Sequence, residues 1–237
     1  MAGQSYRGFA EKVALVTNGA RAVGRAVAVS LALEGAFVIV AFDPADEEGE
    51  SAAAELRELG TLAHAFAADV SRVADVRKLF QSVEETFGRL DLLVNVAPTR
   101  GGAGAPDASD ETEWDAAIDS ALKSTFLCAR AAAELMRDRP RPAVVNVASE
   151  SGLTGRGAGA AEVAAHAGIV GLTKAFAREW GPRVRVNCVA VRPEVGGAAE
   201  GAGAAANEVA RACLYLLSSD ARSVSGQTLV VGGADGP

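Results

Sequence analysis

The sequence predicts a doubly wound α/β protein of one domain spanning residues 1–237, and three observations carry that reading. Strand-like and helix-like stretches alternate along the chain. Most strand-like stretches are apolar throughout, the pattern of parallel strands covered on both faces. The stretch 11–34 places a β-branched run (13–17), a small-residue turn (18–21) and a helix with one apolar face in direct succession. That order aims unpaired backbone N–H groups and the positive end of a helix dipole at one point, where an anion such as a dinucleotide pyrophosphate can sit. An ordinary strand-to-helix turn also uses small residues, so the turn alone leaves both readings open.

The elements follow in order. After the first strand and helix (22–33), AFVIVAF at 36–42 reads as the second strand and the acidic stretch 45–59 as an amphipathic helix ended by Gly60. A third strand at 62–67 leads to a helix capped by Ser71 and stopped by Gly88. Residues 91–96 form a fourth strand, and 100–106 a Gly/Ala loop. A long helix over 110–137, capped by Ser109 or Asp110, ends before Pro140 and Pro142. Residues 143–148, 159–180 and 184–191 read as strand, long helix and strand. The Gly/Ala/Glu stretch 193–206 reads as a mobile lid, 207–217 as the last helix and 227–231 as the seventh strand. The expected sheet is mostly parallel, and a ligand belongs at the carboxyl ends of its strands.

Composition bounds the function. A net charge of −7 and a pI near 5.0 argue against nucleic acid or an anionic membrane as the main partner. Cys128, Cys188 and Cys213 are widely spaced in apolar segments, which suits buried free thiols in a reducing compartment and no metal site. With a short polar start and no long apolar run, the expected location is cytoplasmic.

Between residues 12 and 233 the chain carries, in order, VTNGARAVGRA, ADV (68–70), DLLVNVA (91–97), EWD (113–115), VVNVAS (144–149), GIVGLTKAFARE (168–179), RVRVNCVA (183–190) and the closing run 208–233. In these motifs it resembles the short-chain dehydrogenase/reductase family. The resemblance implies a Rossmann fold with a seven-stranded sheet, a bound nicotinamide dinucleotide and a small-molecule substrate. It places the cofactor on Thr17, Asn18, Arg21, Ala22, Val23 and Gly24, on Phe42 and Asp43, on Asp69 and Val70, and on Asn95, Val96 and Ala97. Asn18 and Ala22 stand where the family has glycine. Asn tolerates left-handed backbone, whereas Ala22 adds a methyl where backbone approaches the pyrophosphate.

The catalytic positions depart further. The family sets serine and tyrosine thirteen apart and lysine four beyond; from Ser149 that count reaches Glu162 and His166, and the family's helical asparagine becomes Ala121. Glu162 and His166 share a helix face, so they read either as a new acid–base pair or, in the plainer view, as a surface ion pair. Two residues alone do not complete a metal site. Ser149 is the expected catalytic residue, and His64 reads as structural. For the cofactor, Arg21 favours the 2′-phosphate of NADPH, while Asp43, one place after Phe42, keeps NADH possible.

Two functions follow from the resemblance. One is a ketoreductase working without the family's tyrosine acid, its proton supplied by substrate or water. The alternative is a catalytically inactive NAD(P)-binding sensor or scaffold. The 19 arginines against 4 lysines, with abundant Ala and Gly, suggest a high-G+C genome, and as an atypical member of the family the chain resembles actinomycete ketoreductases that tailor aromatic polyketides (angucyclinone and simocyclinone types). That likeness implies a polycyclic ketone substrate and antibiotic biosynthesis. The family likeness also implies a homo-oligomer, a dimer or tetramer, paired through the helices expected at 110–137 and 159–180.

Overall fold

The computed structural model describes residues 8–98, 110–156, 159–192 and 202–232. Seven strands form one sheet in the order β3-β2-β1-β4-β5-β6-β7: β1 Val13–Thr17, β2 Phe37–Phe42, β3 Ala63–Ala67, β4 Leu92–Val96, β5 Ala143–Ser149, β6 Arg185–Val191 and β7 Thr228–Val231. Every pairing is parallel, which sharpens the expected "mostly parallel" sheet to an all-parallel one.

Alternate side chains of the buried strands feed two cores. On one face Ala14, Val16, Val38, Val40 and Val94 pack against α1 (Ala22–Leu33) and α8 (Ala202–Leu217). On the other, Val13, Leu15, Ile39 and Leu93 pack against α3 (Val73–Phe87), α5 (Ser124–Met136) and α7 (Ala160–Trp180). The continuous apolar runs of the sequence are therefore strands with a core on each side. Cys128, Cys188 and Cys213 are free and buried in these layers, and burial pushes the Cys128 and Cys188 thiols up to about 12. Among the described residues no helix is long and apolar enough to cross a membrane.

Several boundaries differ from expectation for local reasons. Helix α2 begins at Gly49 (Gly49–Glu58), because Asp43 Oδ1 accepts from Ala45 N–H and Asp46 Oδ1 from Glu48 N–H; these turns consume the stretch 43–48. Ser71 does not cap α3: its N–H and hydroxyl both donate to Asp69 Oδ1, and Arg72 takes the cap position. The long helix expected over 110–137 starts as foreseen at Asp110, which accepts from Glu113 N–H. It then runs as α4 (Glu111–Ala117), a wider π-helical segment Ile118–Lys123, and α5. The hydroxyls of Ser120, Ser124 and Thr125 donate to Ala116, Ser120 and Ala121 carbonyls, competing with the α-helical ladder at the segment that widens.

A short helix that the sequence reading missed, α6 (Ser151–Thr154), follows β5 and is ended by Gly155 at φ +72°. Of the lid expected over 193–206, residues 193–201 lie outside the described residues. Residues 202–206 are not loop but the start of α8, an extension that the run of alanines supports.

Candidate active site

Because every strand runs the same way, the segments after β1, β2, β3, β4, β5 and β6 open at one end of the sheet. The strand order reverses between β1 and β4, where a crevice forms. Two side chains stitch that point together. Thr17 Oγ1 accepts Val96 N–H at 3.0 Å, and Asn18 Nδ2 donates to Val96 O at 2.6 Å.

At two positions where the family has glycine, the turn keeps a glycine-like conformation with other residues. Asn18 has φ +49° and Ala22 has φ +41°, a region that costs a non-glycine residue roughly 1–2 kcal/mol. Gly24 has no such freedom to change: a Cβ there would lie 2.1 Å from Asn18 O. Helix α1 thus lies directly against the turn, with its N-terminal N–H groups facing the crevice. Val23 packs partly into the core beneath it.

Beside the turn is a cavity of about 340 Å3 lined by Asn18, Arg21, Asp43, Asp69, Val70 and Pro98, among others. Asp43 and Asp69 stand just beyond the ends of the second and third strands. Phe42, expected at the ribose position, does not line this cavity: its ring packs with Ala20 and Ala52 and closes on Gly49, whereas Asp43 lines it. The Arg21 Nε donates to Asp46 Oδ2 at 2.6 Å, and this pair holds the Asp46 carboxyl below its usual value. Among the described residues the Nη groups of Arg21 make no hydrogen bond. Asp46 had no signal in the sequence motifs, since it acts through the loop that Asp43 folds.

Deeper in the crevice, Asn95 Nδ2 donates to Asn146 Oδ1 at 2.9 Å, and Asn146 Nδ2 donates to Thr173 Oγ1 at 2.9 Å. Asn95 Oδ1 is buried with no partner among the described residues, so the network has one acceptor open. Ala97 is buried beside Ala121, which sits in the π-helical segment with only a methyl to offer the site.

Ser149 ends β5. Its Oγ accepts Ser151 N–H at 3.1 Å, and its hydroxyl hydrogen has no acceptor among the described residues. His166 reaches the same point from α7: its Nδ1 accepts the Ser149 backbone N–H at 3.1 Å. An accepting Nδ1 carries no proton, so the neutral ring bears its hydrogen on Nε2. Nε2 lies 3.8 Å from Glu162 Oε1, beyond hydrogen-bond distance, and has no partner among the described residues.

The imidazole is fully buried, and that burial pushes its pKa down from 6.5 to about 4. Helix α6 lies directly against α7 at this residue, since a Cβ on Gly152 would meet the His166 carbonyl carbon and Ala167 N at 2.5 Å. The surface ion pair expected of Glu162 and His166 is therefore corrected. His166 is an uncharged internal group, and the carboxylate is too far from it to form a hydrogen bond. The pair gains no third ligand, as no metal-holding cluster occurs among the described residues. At the mouth, Arg192 Nε stands 3.5 Å from Glu150 Oε2, a contact that the sequence reading did not anticipate.

The model of the short chain dehydrogenase family matches residues 12–194. The chain is 35% identical over 240 residues to a D-threitol dehydrogenase of Mycolicibacterium smegmatis, covering 94% of this chain and 92% of that protein. It is 36% identical over 185 residues to a 3beta-hydroxysteroid dehydrogenase of Mediterraneibacter gnavus, covering 78% of this chain and 66% of the relative. Among solved structures, a short chain dehydrogenase from Burkholderia cenocepacia J2315 in complex with NADP superposes with a TM-score of 0.83 at 28% identity, over 95% of this chain and 98% of that one. The protein belongs to the short-chain dehydrogenase family of oxidoreductases.

Proposed function

We propose that the protein is an NAD(P)H-dependent ketoreductase that reduces a ketone, on a polycyclic aromatic substrate of polyketide type, to an alcohol without a protein general acid. The observation that carries this reading is the Ser149 hydroxyl: it stands at the end of β5 with a backbone N–H donated to its oxygen and its own hydrogen free to donate. Such a donor stabilises negative charge growing on a carbonyl oxygen.

The residues present fit a dinucleotide. The turn Thr17–Gly24, with Asn18 and Ala22 at positive φ and the close approach at Gly24, leaves the α1 N-terminus open to a pyrophosphate. Asp43, Asp69, Val70 and the open Nη edge of Arg21 surround the adenosine side, and Arg21 gives the preference for NADPH. Asn95, Val96 and Ala97 border the inner half of the crevice. A nicotinamide bound there supplies the hydride. The support for NADPH is the Arg21 fork together with the NADP complex of the Burkholderia relative.

The proton comes from substrate or water because neither remaining candidate is a suitable acid. His166 is fully buried, and that burial lowers its pKa to about 4, and Glu162 makes no hydrogen bond that would hand a proton toward Ser149. A phenol next to the substrate ketone stabilises the alkoxide from within the substrate, which fits the loss of a protein acid. Incubation with NADPH and a panel of polycyclic quinones and hydroxyketones tests the reading. Consumption of NADPH with formation of the alcohol supports it, and methylation of the neighbouring phenol should slow it sharply.

The protein acts as a homo-oligomer in this reading. An apolar groove of about 560 Å3 runs between the π-helical segment and α7, lined by Ile118, Leu122, Phe126, Gly168, Gly171 and Leu172. Edge strand β7 exposes Leu229 and Val230. A second copy of the chain covers these faces, in keeping with the homo-oligomer that the family likeness implies.

A further inference from the structure

The opposite end of the sheet carries a second concentration of charge that the proposed reaction does not use. Lys12 immediately precedes β1, Arg141 precedes β5 by two residues, and Arg183 and Arg185 stand at the start of β6. A parallel sheet therefore gathers all four at its amino end. With Arg222, which follows the short 3-10 turn Ser219–Ala221, they line a cavity of about 570 Å3. Among the described residues no carboxylate lines it, in a chain whose net charge is −7.

The charges on these groups are not cancelled locally. Arg185 is committed to the carboxyl end of α8: it donates to the Leu216, Leu217 and Ser218 carbonyls, where a cation opposes the helix dipole. Among the described residues Lys12, Arg141, Arg183 and Arg222 form no ion pair. Two acids lie nearby. Asp91 is already shared, accepting from Val13 N–H and Arg139 Nε and standing 3.5 Å from Arg89 Nε, and Asp220 has an interaction of its own. Arg141 is held at φ +56° between Pro140 and Pro142, a left-handed backbone unusual for arginine. Lys12 sits below its ordinary pKa through burial; Asp91 opposes that shift, and Arg185, Arg141 and Arg139 add to it.

We propose that this amino-end cavity is an anion site, taking a multivalent oxyanion such as the phosphate or pyrophosphate group of a small molecule. Arginine forks and a lysine ammonium match that chemistry, and the volume suits a small ligand. The site is separate from the cofactor crevice, from which it is divided by the length of the strands.

Calorimetric titration of pyrophosphate at fixed ionic strength, with excess NADPH filling the crevice, tests this. The variant combines Arg141→Gly, which suits the left-handed backbone, with Arg183→Gln and Arg222→Gln at exposed positions. The wild-type protein should bind with a dissociation constant below about 1 mM, and the triple variant at least tenfold more weakly; Arg222→Gln alone should give part of that loss. ADP run alongside separates the sources, tighter binding than pyrophosphate supporting a nucleotide and weaker binding supporting the bare anion. Absence of binding, equal affinity for wild type and triple variant, or a wild-type signal that NADPH abolishes would each overturn the proposal.

Discussion

The Nδ1 of His166 accepts the backbone N–H of Ser149 at 3.1 Å, tying the ring to the end of β5. This bond requires the uncharged imidazole. Burial lowers the folded pKa from 6.5 to about 4. The stabilisation is therefore complete above pH 6.5 and is lost as pH falls toward 4, where the unfolded chain binds the proton first. The loss should approach about 3 kcal/mol. Denaturant unfolding at pH 7 and pH 4.5 should show it, and His166→Asn, which keeps an acceptor for Ser149 N–H but does not titrate, should flatten that dependence.

Glu162 stands 3.8 Å from His166 Nε2 and is not hydrogen-bonded to it. Glu162→Gln should keep ketone reduction within about tenfold of wild type, whereas loss of an essential acid costs about 100- to 10,000-fold. Steady-state kinetics on folded, cofactor-bound variant decides between them.

Asp46 holds the Nε edge of Arg21 at 2.6 Å. Arg21→Ala should weaken NADPH about 10- to 100-fold and NADH far less, because only NADPH carries the 2′-phosphate. Asp46→Asn, by removing the competing carboxylate, should shift preference further toward NADPH. Fluorescence titration with both cofactors measures the two ratios, and equal losses in the Arg21 variant would remove Arg21 from the cofactor site.

Ala22 holds φ +41° in a position that suits glycine. Ala22→Gly should stabilise the fold by about 0.5–1 kcal/mol, after the greater unfolded-state freedom of glycine is counted, and should tighten cofactor binding by removing the methyl. Gly24→Ala should abolish cofactor binding, since its Cβ would fall 2.1 Å from Asn18 O. Thermal melts with and without NADPH report both effects.

Gly171 faces the apolar groove, and a Cβ there meets no atom within 4 Å. Gly171→Glu therefore fits a single chain and improves its helix, yet puts a charge where a second copy would pack. Light scattering should show an oligomer for wild type and a shift toward 24.1 kDa for the variant.

The sheet was legible in the sequence because its strands are apolar on both faces, as at Val13–Thr17 and Phe37–Phe42. Helix interiors were less so. Nothing in the apolar spacing of 110–137 announces the π-helical segment, which is accompanied by hydroxyl-to-carbonyl bonds from Ser120, Ser124 and Thr125. The family spacing brought Ser149 and His166 to attention. Their actual relationship is a backbone N–H to a ring nitrogen, which residue identity does not encode. Asp46 and the α6 turn were missed for a related reason: each acts by local folding onto a neighbour, Arg21 in one case and His166 in the other.

The central claim is that Ser149, and no protein acid, activates the ketone. It is tested by the NADPH-dependent reduction of a polycyclic hydroxyketone at neutral pH by wild type, Ser149→Ala and Glu162→Gln, with cofactor binding confirmed for each. The account predicts turnover by wild type, a loss of about 100- to 1,000-fold in Ser149→Ala, as for removal of one oxyanion donor, and near wild-type turnover in Glu162→Gln. A wild-type protein that binds NADPH without turning over any ketone, or a Ser149→Ala variant as fast as wild type, would contradict it.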